Sequence, residues 1–192
     1  MLALLVLLAQ PVAPLRPAET SWVERLLSAA TSQVGKTVRY DGTYRRLAYP
    51  GGDVPLETGV CTDVVIRAYR ALGIDLQELV HADMRRAFGA YPGLWGATRP
   101  DPNIDHRRVP NLRTFLKRHG TVLPVTKRAT DYRPGDIVTW RLPRNLPHIG
   151  LVTAEIRDGR PLVVHNIGAG AQVEDMLFAY EITGRYRYAP KR

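Results

Sequence analysis

The only cysteine of this 192-residue chain, Cys61, lies in GVCTDVVIRAYRALG, residues 59 to 73, where a helix is expected to begin. Unpaired N–H groups and the positive end of the macrodipole at a helix N-terminus favour a thiolate, the form in which cysteine is a nucleophile. At about 100° per residue, Cys61, Val65, Ala68 and Leu72 share one stripe, so the sulfur faces whatever the helix packs on. An inert cysteine filling a core gap fits the same pattern. A base within reach separates the two readings, and with one present Cys61 is expected to be an accessible thiol of low pKa.

Five histidines are available. His81 falls inside a helical pattern and His119 in the last turn of another, where positive charge suits the dipole. His106, in NIDHRR, belongs to a long loop and is a candidate substrate contact. His148 opens HIGLVTAEI and His165 lies in PLVVHNIG, two segments with strand character. A cysteine, a histidine and a further polar residue that orients the imidazole make an acyl-transfer site, and His165 and Asn166 both compete for the orienting place.

These residues need a scaffold that brings a helix start against two strands. SWVERLLSAATSQVG opens with a Ser21/Glu24 capping box and stops at Gly35. Residues 36–60, rich in Tyr, Gly and Pro, deliver the chain to the Cys61 helix, which ends at Gly73. A helix over 75–88 and a shorter one from Pro110 to Gly120 follow. Between them, GAYPGLWGATRPDPNIDHRR is a long loop of the kind that carries recognition. Its Tyr91, Trp95, Asp105, His106 and Arg107 are expected to line a substrate groove. GDIVTW, HIGLVTAEI, PLVVHNIG and EITGRYRYA then read as strands. Helices first and an antiparallel sheet second make an α+β domain.

Register decides which residue meets His148. Along HIGLVTAEI the His148 side continues through Gly150, Val152 and Ala154, small residues expected to lie under the Cys61 helix. A two-residue Asp158-Gly159 turn pairs Arg157 with Arg160 and Val152 with His165. That leaves His165 four residues along the ladder from His148, roughly 13 Å, and an orienting role requires a register shift such as a bulge. An odd shift brings Asn166 to the working face; His165 is the preferred residue.

Composition narrows the class of partner. Lys and Arg outnumber Asp and Glu by 27 to 18, a net charge of +9, which favours an anionic partner. The basic residues occur as scattered pairs without interleaved aromatics, so nucleic acid is not expected. No HExxH, CxxC or helical histidine pair suggests a metal, and no nucleotide-binding motif suggests a cofactor. One cysteine excludes an intrachain disulfide. Residues 1–19 contain an apolar run, Leu2 to Ala9, too short to span a bilayer but suited to a secretory leader, with one domain over 20–192.

The order of a Tyr-Pro-Gly-Gly loop, a cysteine at a helix start, PGDIVTW and HIGLV resembles the NlpC-type branch of papain-like cysteine peptidases, bacterial cell-wall endopeptidases. The resemblance covers about residues 36–170, and PGDIV followed by HIGLV is its most specific part. VCTDVV at the nucleophile and an insertion over 74–120 depart from the usual pattern. The resemblance implies a papain-like α+β fold, Cys61 as nucleophile, His148 as base, and His165 or Asn166 as orienting residue. It also implies Tyr49 as the loop tyrosine at the oxyanion, while the long loop offers His106 and Arg107 as substrate contacts. On this basis the chain is expected to be a monomeric, cofactor-free hydrolase of the periplasm or cell exterior, cutting an amide bond in the peptide part of peptidoglycan. Two alternatives are acyl or thioester transfer on the same residues and a non-catalytic wall-binding module.

Overall fold

In the computed structural model, which describes residues 21–189, four α-helices pack on one face of a six-stranded antiparallel sheet. The expected leader over 1–19 lies outside the described residues. Helix α1, Trp22–Thr31, starts with the expected capping box: Glu24 N donates to Ser21 Oγ, and Ser21 N donates to Glu24 Oε2 at 2.6 Å. Two short strands, β1 (Arg39–Tyr40) and β2 (Thr58–Gly59), pair in parallel and lead into α2, Cys61–Arg70. Asp63 reaches back at the start of α2 to accept from Val60 N at 2.7 Å, satisfying an N–H that the helix leaves free. Helix α3, Leu76–Ala87, is capped by Asp75, which accepts from Gln77 N. Helix α4, Val109–His119, begins one residue before Pro110 and closes at Gly120. No helix among the described residues is long and apolar enough to cross a membrane.

The sheet comprises β3 (Thr121–Val122), β4 (Ile137–Leu142), β5 (Leu146–Arg157), β6 (Arg160–Asn166), β7 (Ala171–Glu174) and β8 (Glu181–Arg187), in the order β3-β8-β4-β5-β6-β7. The Pro-Gly-Asp turn opens β4 with Gly135 at φ 85°, a conformation glycine adopts without penalty. Asp136 follows, wholly buried, and its carboxylate accepts from Arg185 Nε at 2.7 Å and Arg187 Nε at 2.6 Å, fastening β4 to β8.

Side-chain alternation divides the apolar residues between the two faces of the sheet. Ile137, Ile149, Leu151 and Val164 join Leu26, Val64, Val65 and Leu112 in the core beneath the helices. Val138, Trp140, Val152 and Val163 join Tyr132, Met176 and Leu177 on the other side. The expectation that His148, Gly150 and Val152 lie under the Cys61 helix is therefore reversed. Ile149 and Leu151 are the bulkier apolar side chains of β5, and burying them against α2 removes more apolar surface from water.

The β5–β6 register keeps the expected Arg157↔Arg160 pair but shifts between Ile156 and Val152. Three β5 residues there face one on β6, so Val152 pairs with Val163 rather than His165. The bulge is held by Thr153 Oγ1, which donates to Leu162 O at 3.1 Å and accepts from Glu155 N at 3.2 Å. A shift of two preserves facing, so His165 moves toward His148 without changing sides.

Candidate active site

Cys61 occupies the first turn of α2, where the N–H groups of Ile149 in β5, of Thr62 and of Cys61 itself favour the anionic form of its sulfur. Ile149 N is bonded directly to the carbonyl carbon of His148, so the thiol lies one residue from the imidazole along the chain it touches. Cys61 and His148 line one cleft of about 520 Å³, together with Tyr40, Trp95, Arg107 and Arg108. Among the described residues no hydrogen bond joins the two side chains.

Behind His148 runs a hydrogen-bonded line. His148 Nε2 lies 2.9 Å from His165 Nδ1, and His165 Nε2 lies 2.8 Å from Glu174 Oε2. A carboxylate only accepts, so His165 Nε2 carries a proton and donates it to Glu174. Neutral His165 then accepts at Nδ1, His148 donates from Nε2, and the lone pair of His148 falls on Nδ1. Trp140 supports the imidazole from β4, its ring centroid 5.9 Å from that of His148. Glu174 has no counterpart in the sequence expectations. It sits on β7 opposite Val163, diagonal to His165, which pairs with Gln172. The mixed Ala-Gln-Val-Glu segment gave no strand signal; pairing with β6 makes it one.

Asn166 points to the other side of β6. Its Nδ2 donates to Gly59 O at 3.0 Å, and its Oδ1 accepts from Gly168 N. It thus ties the sheet to the peptide two residues before Cys61, away from His148.

The thiol differs from expectation in both exposure and charge. Cys61 is only 3% exposed, and burial pushes its pKa up to about 12 against the three N–H groups that favour the anion, with Asp63 adding to the rise. Burial, with the neighbouring His165, pushes His148 down to about 3. Desolvation outweighs the helix N-terminus here. The resting pair is a neutral thiol beside a neutral imidazole.

Tyr49 does not reach the cleft. It is 46% exposed, and its ring packs edge-on against His81 at 5.2 Å. The tyrosine at the cysteine is Tyr40, which lines the same cleft and whose pKa is pushed up by desolvation and by Cys61. The β1–β2 pairing places Tyr40 opposite Gly59, two residues before Cys61. A Gly-Gly pair drew attention to Tyr49, whereas strand pairing brings up Tyr40, which stands before Asp41-Gly42.

The long loop divides its residues. Trp95 and Arg107 line the cleft. Tyr91 is instead buried against Asp83, with a 2.7 Å hydrogen bond, and Asp105 accepts from Asp101 N at 2.6 Å. His106 is buried outside the cleft lining; burial, with Arg107 next in effect, pushes its pKa down to about 3. Arg107 uses Nε and Nη2 to grip both oxygens of Asp63, at 2.9 and 2.8 Å. Its Nη1 is buried with no hydrogen-bond partner. This buried pair orients the first turn of α2, because the same Asp63 carboxylate caps Val60 N. Among the described residues no group of three His, Cys, Asp or Glu side chains is placed to hold a metal ion.

The comparisons with known proteins extend over most of the chain. The family described as "Domain of unknown function (DUF1287)" matches residues 27–188. "Uncharacterized protein YijF" of Escherichia coli (strain K12) is 56% identical over 167 residues, covering 86% of this chain and 82% of that protein. The structure of NlpC1 from Trichomonas vaginalis aligns with a TM-score of 0.41 and 19% identity. That alignment covers 85% of this chain, which spans 44% of the length of that protein.

Proposed function

The chain belongs to the DUF1287 family, a membership that specifies no chemistry, and from the cleft itself we propose a cysteine hydrolase that cuts an amide bond in the peptide part of peptidoglycan. The observation that carries the reading is the line from His148 through His165 to Glu174, which leaves His148 Nδ1 unprotonated beside the cleft it shares with Cys61. A core cysteine needs no such arrangement. In the proposed reaction His148 Nδ1 takes the thiol proton as sulfur attacks the scissile carbonyl, then returns it to the leaving amine. Water hydrolyses the thioester by the same route in reverse, releasing the acid and the thiol.

Negative charge that develops on the carbonyl oxygen is met by Cys61 N–H at the start of α2 and by the Tyr40 hydroxyl. That phenol is protonated at neutral pH and able to donate. Starting from a neutral pair, the imidazole acts as a general base during attack. The choice of a wall peptide rests on the PGDIV and HIGLV resemblance together with the net charge of +9, which concentrates the protein on an anionic polymer. The same choice places it in the periplasm or outside the cell.

Mass analysis of muropeptides after digestion by the wild type and by Cys61→Ala tests the reading. New amide-cleavage products are expected with the wild type alone. Equal product patterns from both proteins would remove the hydrolase assignment.

A further inference from the structure

Beside the cleft lies a second hollow of about 650 Å³ that shares Tyr44, Trp95 and Arg108 with it and adds Arg46 and Arg99. The two spaces adjoin at these shared residues, and Cys61 lines the first of them. Arg46 and Arg99 are exposed, and among the described residues neither makes an ion pair or side-chain hydrogen bond. Arg108 is partly committed, to Asp105 at 3.1 Å and to the Trp95 ring at 4.2 Å. Asp101, the acidic residue in this hollow, is already engaged. Its oxygens accept from the Tyr44 hydroxyl at 3.0 Å and from Asn103 N and Nδ2 at 2.9 and 2.8 Å. Three guanidinium groups and one hydrogen-bonded carboxylate therefore line this hollow.

Trp95 marks the junction. It is 55% exposed and sits at φ 56°, a backbone conformation that bulky residues rarely adopt. Arg108 holds one face of its ring, leaving an aromatic wall between the two hollows. With three guanidinium groups against one carboxylate the hollow is net positive, which focuses potential on an anionic ligand, and guanidinium forks match carboxylates in pairs of hydrogen bonds.

We propose that this hollow binds free carboxylates on the part of the substrate that extends away from the scissile amide, with Arg46 and Arg99 as the principal contacts. The inference deepens the hydrolase reading by naming the substrate class, an acidic peptide, and it depends on that reading only through the shared cleft.

Binding separates the two. In the Cys61→Ala background, soluble muropeptides with free carboxylates are titrated by calorimetry alongside the same muropeptides converted to methylamides. The free acids are expected to bind about tenfold or more tightly than the methylamides, a step of the size that charge-assisted pairing supplies. Arg46→Glu combined with Arg99→Glu should erase that difference by weakening binding of the free acids. Both residues are exposed, so an unchanged thermal midpoint is expected and serves as the folding control. Equal affinity for acids and methylamides, no binding of either, or a double variant that still prefers the acids would each overturn the proposal. Carboxylate-dependent binding without wild-type cleavage would remove the hydrolase reading and leave the binding site standing.

Discussion

His165 stands diagonally across the β5–β6 ladder from His148, with its Nδ1 2.9 Å from His148 Nε2. The bulge between Val152 and Ile156 creates this relationship, since without it the same hairpin would hold the rings too far apart for a hydrogen bond. Continuing the Leu151↔Val164 register brings His165 opposite Gly150.

That register makes Gly150 a sensitive position. A Cβ there would meet Val163 Cγ1 at 2.8 Å, Val164 O at 2.9 Å and His165 Cβ at 3.0 Å, and a backbone oxygen cannot swing aside. Gly150→Ala is expected to cost about 1–3 kcal/mol of stability through overpacking. It should also separate the two rings and lower kcat on wall peptides. Urea unfolding and steady-state rates check both, and an unchanged variant would show that the strands are not in this register.

Much of this scaffold was legible because its signals are local. The Ser21/Glu24 box, the glycines after the helices and the Asp158-Gly159 turn act within a few residues. What escaped depends on pairing across the chain. Tyr40 reaches Cys61 only because β1 pairs with β2, and Glu174 reaches His165 only because β7 adds to β6. Arg107 read as a free cation on a loop, whereas its partner Asp63 lies 44 residues away. The thiol charge differs from expectation for a similar reason: helix position is visible in sequence, but the depth of burial that outweighs it is not.

Glu174 is expected to act by accepting a hydrogen bond more than by its charge, because its side chain is 49% exposed and screened by water. Glu174→Gln keeps an accepting oxygen and should retain the rate within about threefold. Glu174→Lys offers only donors and removes the acceptor that fixes the His165 tautomer; a loss of about tenfold or more is expected. Imidazole nitrogen NMR of His148 would report the tautomer directly. Full activity in the lysine variant would detach Glu174 from the site.

The resting charge state predicts an unusual pH response. A thiol raised to about 12 is almost wholly protonated at neutral pH, so alkylation of native Cys61 by iodoacetamide should be slow at pH 7.5 and still rising above pH 9. His148, lowered to about 3, stays neutral as pH falls through 6.5. The acid limb of kcat/KM is therefore expected well below the ordinary histidine range. An alkylation midpoint below 8.5 would instead indicate a thiol acidified by the helix N-terminus, and an acid limb near 6.5 an ordinary solvated imidazole at His148.

Two tyrosines separate oxyanion stabilisation from loop architecture. Tyr40 lines the cleft with Cys61, where a single donor to a developing oxyanion contributes about 10²–10³ in kcat. Tyr40→Phe removes only the hydroxyl and keeps the ring, so kcat should fall by about that factor with KM nearly constant, since the bond strengthens only as charge develops. Tyr49 lies outside the cleft lining and packs on His81 through its ring, which phenylalanine reproduces. Tyr49→Phe should leave both constants unchanged. Tyr40→Phe at wild-type rate would leave Cys61 N–H as the oxyanion donor from α2, and a large loss in Tyr49→Phe alone would return that role to the Gly-Gly loop.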